Sequence, residues 1–93
     1  MMKFGNAKAF AINAPRPEYP YEARSRRIMG SGVVVLEVDA TTGMVLDAHL
    51  EQSIGNPILD RSAVSTFRRW RFKPGSVNKV RIPITFTISG AYY

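Results

Sequence analysis

Few side chains in this sequence could do chemistry, and their spacing decides what kind. His49 is the only histidine, with Asp47 and Glu51 two residues to either side. On an extended strand, where side chains repeat with a period of two, the three share one face. An imidazole between carboxylates could act as a general base, but it would also need a hydroxyl or thiol nucleophile poised against it. The chain has no cysteine, no glycine-rich phosphate loop and no nucleophile elbow. The reading is an exposed strand histidine in a protein that is not an enzyme. One histidine and no cysteine also fall short of the four N or S ligands of a structural zinc site. No metal and no cofactor is expected.

The second candidate is Arg68-Arg69-Trp70-Arg71-Phe72-Lys73, where cations and aromatics interleave as on a single-stranded nucleic-acid platform. The whole chain is basic, with 13 Lys and Arg against 7 Asp and Glu, a net charge of +6 and a pI near 10.2. Such a surface suits nucleic acid, an anionic membrane or a cell-wall polymer, and equally a solvated basic face with no ligand. Trp70, however, continues an inward helical stripe, and the all-aliphatic strand Val33-Val34-Val35-Leu36 lacks RNA-stacking aromatics. Nucleic acid is therefore not an expected partner.

These residues need elements to position them. Asn56 is a good N-cap and Pro57 a good first helical residue. Leu59, Ala63, Val64, Phe67 and Trp70 recur at helical spacing as one apolar stripe, with Asp60, Arg61, Ser65, Arg68 and Arg69 mainly opposite. Pro74 and Gly75 stop the helix. A shorter helix is expected over 21–29, after Pro20, with Ala23 and Ile28 inward, the arginines outward and Gly30 ending it. Residues 32–39 read as a central strand buried on both sides. After a turn at Asp39-Ala40-Thr41-Thr42-Gly43, a strand over 44–52 places Leu46, Ala48 and Leu50 on one face and Val45, Asp47, His49 and Glu51 on the other. A last strand over 80–88 turns Val80, Ile82, Ile84, Phe86 and Ile88 inward and Arg81, Pro83, Thr85 and Thr87 outward.

Ninety-three residues make one domain with a modest core. The expected fold is α+β, in the order α-β-β-α-β, with a three-stranded antiparallel/mixed sheet in spatial order 2-1-3 and both helices on one face. Residues 1–14 read as a flexible lead-in with a short extended piece around residues 9–12, residues 15–90 as the domain, and residues 91–93 as a short aromatic tail. No run approaches the ~18–20 apolar residues of a membrane helix, and Asn6, Lys8 and Asn13 interrupt any signal-peptide core.

Pro83 cannot donate to a ladder, which places the last strand at a sheet edge. Charge and proline can simply blunt such an edge. Alternatively, an extended peptide can add to it as a further strand, bonding around Arg81 and Thr85 and skipping Pro83. A homodimer through the same edge is a further expectation.

Several of these residues carry a resemblance. Pro17-Glu18-Tyr19-Pro20 before a short Ala- and Arg-bearing helix, Gly30-Ser31-Gly32-Val33-Val34-Val35, Gly43 with Val45, Ser53, Leu59, Ala63 and Arg69-Trp70-Arg71-Phe72-Lys73-Pro74-Gly75 together resemble the C-terminal domain of TonB energy transducers. The resemblance runs over about residues 15–90. It implies a periplasmic, non-enzymatic domain of a protein anchored in the inner membrane. Such a domain grips the TonB box of an outer-membrane transporter as an added strand, coupling the proton-motive force to uptake of siderophore iron, cobalamin or another nutrient. Its gripping strand corresponds to residues 80–88, with Arg81, Pro83, Thr85 and Thr87 at the contact. Pro17, Glu18, Tyr19 and Pro20 correspond to a second contact region, preceded by Arg16. Leu59, Phe67, Trp70 and Phe72 correspond to the packing core.

This sequence lacks the family's anchor and proline-rich spacer, through which inner-membrane motor proteins would be reached. Its turn at 39–43 is also longer than the family's tight hairpins. If the short chain were complete, it would be cytoplasmic. The alternative function is an orphan domain of the same fold that binds an anionic polymer, nucleic acid or cell wall, through its arginines.

Overall fold

The computed structural model describes residues 2–4 and 7–93, with side chains from residue 8 onward. The elements are β1 (Met2–Phe4), a 3-10 turn (Ala7–Phe10), β2 (Ala11–Asn13), α1 (Tyr21–Ser25), β3 (Gly30–Val38), β4 (Val45–Gln52), α2 (Pro57–Phe67), β5 (Arg71–Phe72), β6 (Lys79–Thr87) and β7 (Gly90–Tyr92). The expected α-β-β-α-β order is present as α1-β3-β4-α2-β6. β3 lies between β4 and β6 and is antiparallel to both, so the three long strands have the expected 2-1-3 arrangement. The sheet is larger than expected. β1 joins β6 in parallel and β7 joins it antiparallel, making five strands, while β2 and β5 form a separate pair. The Ala7–Phe10 turn and β2 thus occupy part of the expected lead-in; residues 1, 5 and 6 of that lead-in lie outside the described residues.

α2 starts as its sequence requires. The Asn56 side chain accepts the Ile58 amide at 2.8 Å, and Pro57 occupies the first turn. Leu59, Ala63 and Phe67 are fully buried and Thr66 nearly so. The helix closes at Phe67 rather than running on to Trp70. The Arg69 and Trp70 amides reach back only three residues, to Thr66 and Phe67, and this tighter turn still delivers Trp70 into the core at 1% exposure.

α1 is shorter than expected and ends in a Schellman motif. The Ile28 amide bonds the Ala23 carbonyl at 2.9 Å, the Arg27 amide bonds the Arg24 carbonyl at 3.1 Å, and Arg27 takes φ 54°. That position favours glycine, because the left-handed conformation costs other residues about 1–2 kcal/mol. Arg27→Gly is accordingly expected to stabilise the domain. Glycine also frees the unfolded chain, so the net gain is about 0.5–1 kcal/mol, seen as a Tm about 3–6 °C higher by calorimetry. An unchanged or lower Tm would mean that the arginine side chain compensates for its own backbone. Gly30 opens β3 instead of capping α1, because the chain crosses it: a Cβ there would sit 2.0 Å from the Ile54 carbonyl oxygen. Gly43 closes the 39–43 turn at φ 80°, where a Cβ would meet the Phe72 carbonyl oxygen at 1.8 Å.

Ala23, Leu59, Ala63 and Phe67 share one core with Val34, Leu36, Val38, Ala48, Val80, Ile82, Ile84 and Phe86. These strand positions belong to one sheet face, so both helices cover that face. Three residues depart from the expected alternation. Leu46 is 69% exposed, because pairing passes from Glu37↔Asp47 to Val38↔Val45 and leaves Leu46 without a partner. The resulting bulge turns Val45 toward the core in its place. Ile88 is 58% exposed, since β6 stops at Thr87 and Ile88 enters a turn.

Candidate functional site

β6 places its side chains as alternation requires, with Val80, Ile82, Ile84 and Phe86 buried and Pro83 exposed. Pro83 stands opposite Val33 of β3. Having no N–H, its backbone is directed away from β3 without loss of a ladder bond, and Arg81, Thr85 and Thr87 share that outward direction by the two-residue period. The expected open edge is nevertheless taken at both ends. β1 pairs with Lys79, Val80 and Arg81, and β7 pairs with Thr85, Phe86 and Thr87. Between them, Ile82, Pro83 and Ile84 have no strand partner on that side among the described residues. The cause lies in the presumed tail: Ile88-Ser89 makes a two-residue turn, and Gly90 at φ 130° lets the chain fold back. An edge strand that can satisfy its outward amides locally does so.

The side chains along this edge are engaged as well. The Arg81 guanidinium donates through Nε to Glu51 Oε2 at 2.8 Å and through Nη2 to the same carboxylate. That hydrogen bond and charge hold Glu51 below the usual carboxylate range and raise Arg81. Thr85 shares a hydroxyl hydrogen bond with Ser31 at 2.8 Å, and Thr87 one with Ser89 at 3.0 Å.

The segment before α1 lies against the same end of the sheet. Arg16 donates to the Ala91 carbonyl of β7 at 2.7 Å and sits over the Tyr93 ring at 5.6 Å. Pro17 is buried. Tyr19 donates to the Ile28 carbonyl at 2.8 Å, and its ring lies 5.8 Å from that of Phe86 on β6. The Glu18 carbonyl accepts from Ser62 of α2, and the Pro20 carbonyl accepts the first helical amides, those of Ala23 and Arg24. A cavity of about 320 Å³ between Glu18, Tyr19 and Arg24 on one side and Ile88, Ser89 and Gly90 on the other marks where the two regions meet. The structure thus brings Arg16–Pro20 and the Thr85–Thr87 half of β6 together, while Arg81 lies toward the other end of the strand.

Two contributors were missed from the sequence. Asp60, assigned to the outward side of α2, accepts the Ile54 amide and the Ser53 hydroxyl, each at 2.7 Å, and so ties the end of β4 to the helix. An acid in a first helical turn was the available signal. Tyr93, read as tail, packs against Phe67 and Trp70 at 5.8 and 5.7 Å. Among the earlier candidates, Trp70 and Phe72 are buried while Arg68, Arg69, Arg71 and Lys73 are exposed, so cations and aromatics separate and no stacking platform results. His49 is half exposed on β4, 2.9 Å from Asp47, which Arg68 approaches at 3.5 Å. No group of metal-ligating side chains forms among the described residues.

The arrangement defines a small α+β domain whose last long strand is bordered by short strands and flanked by a proline-rich entry segment. The chain belongs to the family of the Gram-negative bacterial TonB protein C-terminal domain, which it matches over residues 15–92. It is 32% identical over 83 residues to Protein TonB of Xanthomonas campestris pv. campestris, covering 83% of this chain and 37% of that protein. It is also 32% identical over 81 residues to Protein TonB of Vibrio cholerae serotype O1, covering 81% of this chain and 33% of that protein. The chain therefore spans about a third of the length of these relatives. Among the described residues no helix is long and apolar enough to cross a membrane.

Proposed function

We propose that this domain is the non-enzymatic peptide-binding part of a TonB-type energy transducer, working in the periplasm. It takes the TonB box of an outer-membrane transporter as a strand added to the outer edge of β6. The observation that carries this reading is that this edge already accepts strands of both polarities, β1 in parallel and β7 antiparallel. An incoming peptide repeats what the chain's own ends do. It replaces β7, β1 or both, bonds the outward amides of Arg81, Thr85 and Thr87, and passes Pro83 without a bond. Arg16, Pro17, Glu18, Tyr19 and Pro20, beside the β6–β7 hairpin, form the second contact. Coupling to the proton-motive force runs through inner-membrane proteins contacted by other parts of the transducer.

The test is an NMR titration of the labelled domain with TonB-box peptides at low and high salt. Strand addition rests on backbone hydrogen bonds, so shifts at Arg81, Thr85, Thr87 and Tyr19 should persist in salt. Polyanion binding, the competing reading, would instead weaken steeply with salt. It would appear at Arg61 and Arg69, exposed arginines that line, with Arg16, a groove of about 550 Å³. Shifts confined to that groove would assign the fold a different function.

A further inference from the structure

Among the described residues the sheet's other edge is the one left open: β4 pairs with β3 alone, and only at its approach does Met44 form a single bridge with Arg71. The direction of its backbone follows from Pro83. Pro83 faces away from β3, so its partner Val33 faces β4, and so does Val35, which pairs with His49. The N–H and C=O groups of Ala48 and Leu50 therefore point to solvent. Edges are usually blunted by proline, lysine or bulges. β4 has no proline and no lysine, and its irregularities fall at its two ends, leaving Asp47–Leu50 regular.

The side chains supply the specificity. Leu46-Asp47-Ala48-His49-Leu50 is apolar at its ends and centre, with an acid and a base placed symmetrically about Ala48. Leu46 is 69% exposed, and the Asp47 and His49 side chains are 48% and 51% exposed. We infer that β4 pairs with β4 of a second copy, antiparallel about a two-fold axis at Ala48. This register sets Ala48 against Ala48 of the second copy and places Asp47 opposite His49 of the second copy twice over. The outward-facing groups of Ala48 and Leu50 gain partners, and the Asp–His pairs fall at non-hydrogen-bonded positions, where side chains approach most closely. Arg68, already 3.5 Å from Asp47, adds a cation beside each pair. The contact is isologous and closes as a dimer, and it leaves the edge of β6 untouched.

Sedimentation of the full chain over rising concentration should show the mass moving from 10.4 kDa toward twice that value. His49→Asp places carboxylates opposite carboxylates, and Asp47→His places imidazoles opposite imidazoles; each alone should weaken self-association about tenfold. An equimolar mixture of the two variants restores Asp–His pairs across the interface and should recover the association as a heterodimer. Amide spectra of each variant, expected to stay dispersed because neither side chain enters the core, separate this effect from unfolding. A monomer at every concentration would overturn the inference. So would association indifferent to His49→Asp, or a mixture no stronger than its components.

Discussion

Trp70→Ala is expected to remove about 3–5 kcal/mol of stability, a large part of the roughly 5–15 kcal/mol that holds a domain of this size. The indole is 1% exposed and lies 5.0, 6.0 and 5.7 Å from the rings of Phe67, Phe72 and Tyr93. Its N–H donates to the Pro15 carbonyl at 2.9 Å. Truncation therefore opens a cavity beneath α2 and also leaves a carbonyl of the entry segment without its donor. Trp70→Phe separates the two effects. It keeps most of the ring volume and loses the hydrogen bond, so about 1–2 kcal/mol should go. Urea unfolding followed by circular dichroism reads both, with an m-value close to that of the parent for Trp70→Phe. A loss below about 1 kcal/mol for the alanine variant would mean that the aromatic cluster repacks around the gap, contrary to the usual cost of emptying a core site.

That Trp70 would be internal could be read from helical periodicity, even though α2 stops before it. Periodicity reports which direction a side chain leaves the backbone, and a final tight turn preserves that direction. The same local signals located the start of α2, from Asn56 and Pro57, and the central place of β3, from its unbroken aliphatic run. What could not be read depended on contacts distant in sequence. The bulge that exposes Leu46 arises where two residues of β4 face one of β3, and no property of the Val45-Leu46-Asp47 tripeptide announces it. Arg27 adopts a glycine conformation because Ile28 must return over Ala23, so the helix end is set by packing and not by the favourable arginines that suggested a longer helix. Gly30 marks the crossing of Ile54 over β3, a constraint visible only once both segments are in place.

The outer side of β6, the binding strand of the proposed function, shows the same limit. Alternation and Pro83 identified correctly the side of β6 that turns away from β3, but not that β6 is paired there at both ends and so is not the sheet's edge strand. They could not reveal that the chain's own termini lie along that side, since a three-residue strand such as Gly90–Tyr92 is too short to show a period. On the proposed function, binding there would be an exchange of strands: the peptide would gain only the difference between its own contacts and those of the segment it displaces. The segments displaced are short, and β7 is further held by Arg16 through the Ala91 carbonyl. Loss of that bond would couple the entry segment to arrival of the peptide.

Strand exchange at β7 makes a specific demand: fastening β7 in place should abolish binding. Thr85 and Tyr92 are directly opposite on β6 and β7, and facing residues of an antiparallel pair have Cα atoms about 4.5–5.5 Å apart, within the range a disulfide spans. The chain has no cysteine of its own, so the Thr85→Cys, Tyr92→Cys double variant can form only this internal bridge. Oxidised, it should bind TonB-box peptide about 100-fold more weakly than the parent, a change of ~2.7 kcal/mol, because the outward amides at positions 85 and 87 cannot be vacated. Reduced, it should return to within about threefold of the parent, which excludes the lost threonine hydroxyl and tyrosine ring as the cause. Calorimetric titration of both redox states gives the answer on a single preparation. If the oxidised form binds as well as the reduced, the peptide does not enter through β7, and the exchange must be sought at the Lys79–Arg81 end, where β1 is the strand to displace.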